Sequence, residues 1–274
     1  MALLDLLRAF TDEDNHSVWR SIDGCLGKLN TLFADSGFHD KFHSFGKNLH
    51  QEIFRKLTWS AQPGEKHTDA MTRALVISRL ISFNDEKVIE EARAKFRANL
   101  DGSQTIPADF RGAIYRAVAK CGDDREYEGL FELYRKSDLQ EEKNRAFMAL
   151  GAAKDSGRLQ RAVEFAMTDE VRNQDKLFVF MTLSGSNPSF AWQSFLEHQE
   201  EFKSMYLGTH LLSRLVRLVT VNFTSEERAK EVATFFEANS FPGTERTVQQ
   251  SLEIIRGNAS WLNRDIESIK KYFS

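Results

Sequence analysis

The most chemically suggestive stretch of this sequence is His39-Asp40-Lys41-Phe42-His43. On a helix, histidines at i and i+4 share a face, where two imidazoles can hold one zinc ion and an adjacent acid can act as base. Three features weigh against that use. The acid beside the first histidine is Asp, one methylene shorter than the Glu such zinc helices carry. Phe38, Phe42 and Phe45 commit the helix to packing, and the position nineteen residues beyond His43 is Gln62, so no third ligand stands out. Two histidines on an amphipathic helix, with no metal and no cofactor in this chain, are the expectation. A small zinc enzyme built on His39 and His43 is the competing reading.

The remaining reactive residue types are scattered. His50, His67, His198 and His210 fall in different segments without ligand spacing. Cys25 lies on an apolar helix face and Cys121 at a helix end before Gly122, neither beside a base that would activate it. There is no G-x-x-x-x-G-K, G-x-G-x-x-G or G-x-S-x-G, so phosphate-cradling loops and nucleophile elbows have no support. Arginines are better candidates for a binding role. Arg111, Arg145, Arg214 and Arg217 interrupt otherwise apolar helices, where a guanidinium can grip a carboxylate with two parallel bonds. Snorkelling, or pairing with a neighbouring acid, is the ordinary alternative.

The elements that must carry these side chains are helices. Apolar residues recur at i, i+3, i+4 and i+7 through most of the chain, the spacing of one helix face. The pattern predicts helices over 16–34, 38–58, 66–82, 85–99 and 107–120, and nowhere sustains the period-two alternation of a strand. Helix starts are legible at Thr224-Ser225-Glu226-Glu227, Asn187-Pro188, Ser137-Asp138-Leu139-Gln140 and Asp123-Asp124-Arg125-Glu126. The middle of the chain repeats in pattern over 106–136, 137–167 and 168–198. Each block is 31 residues with two helices, and Asp124, Asp155 and Ser186 are the expected caps of the second helix. A unit of that kind buries its apolar stripe only by stacking on neighbours. The fold expected is all-α, an α-solenoid of stacked antiparallel helix pairs in a HEAT/armadillo-like right-handed superhelix, forming a single domain over 1–274.

Composition narrows the function classes. With 274 residues, 37 Lys+Arg and 40 Asp+Glu, the formal net charge is -3, which lacks the basic footprint of a nucleic-acid binder. Apolar stretches such as Leu215–Val221 are far shorter than the ~20 residues of a membrane span. The start MALLDLLRAFTDED has early acids and no small-residue cleavage site, so it does not read as a signal peptide. Two cysteines make no disulfide framework, which fits a reduced, intracellular compartment. Pro is scarce at 4 and Phe abundant at 22, as short packed helices require. The sequons at Asn15, Asn222 and Asn258 carry no weight in that setting.

Several strings, taken in order, resemble a known family. They are Pro63-Gly64-Glu65-Lys66-His67 with Asp69-Ala70 and Arg73; Glu90-Glu91-Ala92-Arg93 before Phe96; and Ala108-Asp109-Phe110-Arg111 before Tyr115. Gln140-Glu141-Glu142-Lys143-Asn144-Arg145 follows, then Glu245-Arg246-Thr247-Val248-Gln249-Gln250. Asn258-Ala259-Ser260-Trp261-Leu262, Arg264-Asp265 and Glu267-Ser268-Ile269 complete the set. Together, from about residue 12 to 273, they resemble the C-terminal helical domain of the puromycin-sensitive aminopeptidases. These are cytosolic relatives of aminopeptidase N and the endoplasmic-reticulum aminopeptidases.

The resemblance implies a non-catalytic domain that caps the active-site cavity of a cytoplasmic zinc aminopeptidase and gates or helps bind its peptide substrates. Zinc would belong to the catalytic domain of the parent chain, which carries G-A-M-E-N and H-E-x-x-H motifs absent here. Its partners would be peptides and that catalytic domain, with neither nucleic acid nor membrane. Arg111, Arg145 and Arg214 are the peptide-binding candidates, on chemical grounds alone. Met1-Ala2 is expected to be an added start. The alternative function is a free-standing α-solenoid scaffold that binds a protein partner on its concave face.

Overall fold

The computed structural model describes residues 2–61 and 63–274, so Met1 and Gln62 of the readings above lie outside the described residues. Among the described residues the chain forms fifteen α-helices and one 3-10 turn, with no strand. Contacts divide it into two compact units, one comprising 1–129 with 266–274 and the other 130–265.

The first unit holds α1 (Ala2–Arg8), α2 (His16–Phe33), α3 (His39–Leu57), α4 (His67–Ser82), α5 (Glu86–Leu100) and α6 (Ala108–Cys121). It also takes the start of α7 (Asp124–Lys136). The second takes the rest of α7, then α8 (Gln140–Leu150), α9 (Ser156–Met167), α10 (Leu177–Ser186), α11 (Pro188–Glu197) and α12 (Gln199–Tyr206). It ends with α13 (His210–Thr220), α14 (Glu226–Ala238) and most of α15 (Glu245–Tyr272), whose last turns return to the first unit.

Each unit is a stack of helix pairs joined by short loops, which leave packed neighbours antiparallel. In the first, α2 packs on α3, α4 on α5 and α6 on α5, while α4 also lies against both α2 and α6. In the second, α8 packs on α9, and α10 lies against both α8 and α13. One helix of each pair thus forms a continuous layer within its unit. The predicted helices over 16–34 to 107–120 are present within about two residues at each end.

Phenylalanine fills the seams. Trp19, Ile22, Leu26, Leu29 and Phe33 form the buried stripe of α2, at steps of three and four. Phe38 and Phe42 each pack edge-on against Phe33 with centroids 5.1 Å away, and Phe273, just beyond α15, stacks on Phe38 at 5.6 Å. A Cβ on Gly46 would sit 2.2 Å from the Phe83 ring, so α3 approaches that ring only because the residue is Gly. In the second unit Trp192 meets Phe235 at 5.3 Å and Phe195 meets it at 5.9 Å, tying α14 to α11.

The helix starts correct four expected caps. Asn187 and Asp155 cap as expected, through Phe190 N–H at 3.1 Å and Arg158 N–H at 2.9 Å. Ser225, not Thr224, accepts the Arg228 N–H, because the hydroxyl that caps must lie three residues before that donor. Asp123, not Asp124, forms the reciprocal box with Glu126, each side chain accepting the other's N–H. The third cap of the series is Asn187, not Ser186, whose hydroxyl donates to Gly151 O at 2.6 Å instead. Ser137 closes a local turn on Leu139 N–H, and α8 begins only at Gln140. Asp123, Asp155 and Asn187 fall 32 residues apart, so the structural period is 32, one longer than the sequence blocks.

Candidate functional site

The histidine pair on α3 is committed to structure. His39 and His43 both donate Nε2–H to Asn30 Oδ1 on α2, at 3.0 and 2.8 Å. His43 Nδ1 accepts from the Asn84 side chain at 3.3 Å, which fixes that tautomer. Burial lowers the pKa of His39, keeping its imidazole neutral. Both Nε2 atoms that could face a metal are spent on one amide oxygen. Among the described residues no three His, Cys, Asp or Glu side chains gather as a ligand set. The residues present do not fit a zinc ion.

The arginines chosen from sequence sit in separate surroundings. Arg111 on α6 is half-buried and donates Nε–H to Ile106 O at 3.0 Å. Arg145 on α8 is held between Glu141 and Glu142, each at 2.6 Å, so its charge is answered within its own helix. Arg214 on α13 is exposed and touches Met181 Sδ at 3.3 Å, with no carboxylate partner among the described residues.

Surface clefts of the first unit lie elsewhere, at its α2–α4–α6 layer. Three stripes build it. His16, Arg20 and Asp23 recur at i, i+4 and i+7 on α2; Met71, Leu75, Ser78 and Ser82 follow the same steps on α4; Asp109 and Arg116 lie two turns apart on α6. Three clefts of about 400, 330 and 320 Å³ lie at this layer and at the loop between α3 and α4, joined through the shared walls Asp109 and Leu75.

The largest cleft is lined by Trp59, Pro107 and Phe110 with the Arg73–Glu65 pair at its wall. Arg73 is buried and binds Glu65 through both terminal nitrogens while its Nε–H meets Leu57 O at 2.9 Å. Trp59 packs edge-on against Phe110 at 5.8 Å, with the Lys95 ammonium 5.2 Å from its indole. The middle cleft holds His16, His67 and the exposed Met71. Thr72 donates its hydroxyl to Thr68 O at 2.8 Å, so it accepts from His16 Nδ1–H at 3.1 Å. That polarity leaves Thr72 without a base to activate it.

At the third cleft, Arg79 is matched by Asp23, at 2.6 Å from Nε, and also reaches Asp23 O at 3.1 Å. Arg116 stands beside this pair, exposed to solvent but crowded by protein. Desolvation, with Arg79 adding to it and Asp23 opposing, pushes its pKa below the ordinary arginine value. The sequence reading passed over Arg116, although a signal was present. No acid lies three or four residues to either side of it, whereas Arg145 has Glu141 and Glu142 at those distances.

What this arrangement offers is a mixed apolar and cationic groove on a layer of paired helices, a surface for binding. Its class is a helical-repeat domain. The chain belongs to the ERAP1-like C-terminal domain family, which matches residues 1–257. It is 34% identical over 279 positions to Aminopeptidase M1 of Arabidopsis thaliana, covering 98% of this chain and 31% of that one. It is 30% identical to Aminopeptidase M1-B of Oryza sativa subsp. japonica, again across 98% of this chain and 31% of the relative. The Alanine/arginine aminopeptidase of Saccharomyces cerevisiae is 27% identical, with 98% and 32% covered. The chain therefore spans about a third of the length of the curated relatives it matches.

Several residues of the strings that carry the resemblance hold the fold together. Glu65 pairs with the buried Arg73, Asp69 accepts Lys66 N–H at 2.9 Å, and Arg93 binds Glu126 and Glu90. Asn258 donates to Phe223 O at 3.0 Å. Among the described residues no helix is long and apolar enough to cross a membrane.

Proposed function

We propose that this chain is the non-catalytic C-terminal domain of a zinc aminopeptidase of the puromycin-sensitive kind, working in the cytoplasm and serving to bind or gate peptide substrates. The observation that carries this reading is the family match over 1–257, together with relatives named aminopeptidases that this chain covers over only about 31% of their length. The two units together are proposed to form one domain over 1–274, built of helix pairs of the HEAT/armadillo kind. Zinc, the G-A-M-E-N and H-E-x-x-H motifs and the chemical step are assigned to the rest of the parent chain. Peptides and that catalytic domain are the proposed partners.

The groove along α2, α4 and α6 supports a binding role, with apolar Met71, Leu75 and Phe110 between charged side chains. Arg111, Arg145 and Arg214 remain proposed peptide contacts, and Arg214 is best placed because no carboxylate holds it. Fluorescence anisotropy of labelled peptides on the purified chain tests this. Arg214→Ala is expected to weaken binding of a free-acid peptide by roughly three- to tenfold, the scale of one charged hydrogen bond at an exposed site. Equal affinity for the variant would remove Arg214 from the set. Hydrolysis of an aminoacyl-amide dye by the purified chain would refute the non-catalytic assignment.

A further inference from the structure

The third cleft of the first unit, about 320 Å³, is walled by Asp23, Leu75, Ser78, Arg79, Ser82 and Arg116. Asp23 answers the charge of Arg79. Arg116 has no hydrogen-bond or ion-pair partner among the described residues, and the Ser78 and Ser82 side chains have none either. One cation and two hydroxyls are thus left over at one place. The hydroxyls lie one turn apart on a single face of α4, and the guanidinium approaches from α6.

We propose that this cleft is a binding site for a small tetrahedral oxyanion of the phosphate class, with Arg116 as its principal ligand, Ser78 and Ser82 as hydroxyl donors, and Arg79 flanking it. Donors that come from two helices are poorly matched to a planar carboxylate, which presents two oxygens in one plane. A tetrahedral anion presents oxygens in several directions and satisfies a guanidinium fork and separate hydroxyls together. The lowered pKa of Arg116 agrees, since desolvation and Arg79 outweigh the opposing charge of Asp23. This site does not depend on the peptide-binding reading, because it is defined by groups that need no peptide.

The test is a titration of the intact chain with inorganic phosphate, followed by calorimetry at constant ionic strength set with sodium chloride. Phosphoserine and acetate form parallel arms. Saturable binding of phosphate at one site is expected, with Arg116→Gln weakening it about tenfold and Ser82→Ala by a smaller factor. Arg116→Lys should fall between, since it keeps the charge and loses the fork. Because Arg116 is exposed and unpaired, its variants should melt within a few degrees of the parent, which separates lost binding from lost fold. Binding of phosphoserine as well as phosphate would identify the group as a phosphomonoester or the free ion alike; binding of phosphate alone restricts it to the free ion. Undiminished phosphate affinity in Arg116→Gln, absence of saturation, or tighter binding of acetate than of phosphate would overturn the proposal.

Discussion

Replacing His50 by leucine should flatten the acid limb of this protein's stability curve. His50 is fully buried on α3, its Nδ1–H donated to Gly46 O at 2.7 Å, with Trp19 4.9 Å away and Phe83 6.1 Å away. Its Nε2 is buried and without a partner, so protonating it would place an unanswered charge among aromatic rings. Burial is the main cause of a pKa lowered from 6.5 to about 4; the Gly46 bond opposes it, Arg79 adds to it, and Asp23 opposes it weakly. Because the folded value lies below the unfolded one, the unfolded chain binds the proton more readily between about 6.5 and 4. Stability from this residue is therefore fully present above the upper value, falls as the pH drops through the window, and is gone below the lower one. Each tenfold in protonation is about 1.4 kcal/mol, so the full window is worth roughly 3 kcal/mol, and the part between pH 7 and 4.5 is about 2 kcal/mol. The assay is urea unfolding of both proteins at those two pH values, read by tryptophan fluorescence. Groups that titrate alike in both proteins cancel in the difference. An equal loss of stability in parent and His50→Leu across the window would refute the reasoning.

Two further outcomes follow from packing and charge. Glu126 is buried, accepts the Asp123 N–H, and is bound by Arg93 and Arg97, both at 2.9 Å. Glu126→Ala should cost roughly 2–3 kcal/mol, less than a fully buried pair because Arg97 stays well solvated, while Glu126→Gln should keep part of it; chemical denaturation distinguishes the two. Gly151 closes α8 where that helix meets α10, and a Cβ there would lie 2.5 Å from Val179 O and 2.9 Å from Leu183 N. These are backbone atoms with no rotamer to yield, so Gly151→Ala should destabilise by about 1–3 kcal/mol, seen as a lower melting temperature.

Much of the architecture was readable because apolar spacing is a local property. The stripe Trp19, Ile22, Leu26, Leu29, Phe33 declares α2 without reference to any other part of the chain. Caps were readable to within one or two residues, and the misses had a cause. Asp123 carries the D-x-x-E spacing with Glu126, but Asp124 beside it offers the same side chain, and only the direction of the N–H decides. The site was far less legible. Arg145 drew attention by interrupting an apolar run, yet Glu141 and Glu142 neutralise it. Arg116 becomes notable only when α4 places Ser78 and Ser82 across from it and Asp23 on α2 claims the neighbouring Arg79. Those relations join residues on different helices, for example Asp23 and Arg79 with a separation of 56, and no periodicity within one helix reports them.

The path of α15 bears on how the molecule comes to be folded. Residues 266–274 belong to the unit that begins the chain, where Phe273 packs on Phe38, Phe42 and Phe45 and Ser274 O accepts from Lys41 across a separation of 233 residues. During vectorial synthesis the early unit emerges first but stays short of this seam until the whole of 130–265 has been made. Its closure entails ordering a very long intervening segment, a non-local step of the kind that slows folding. Until then Phe38, Phe42 and Phe45 lack the contacts that Phe273 makes with them. Of these two units, the one whose helices are mostly made first is therefore the last to be finished.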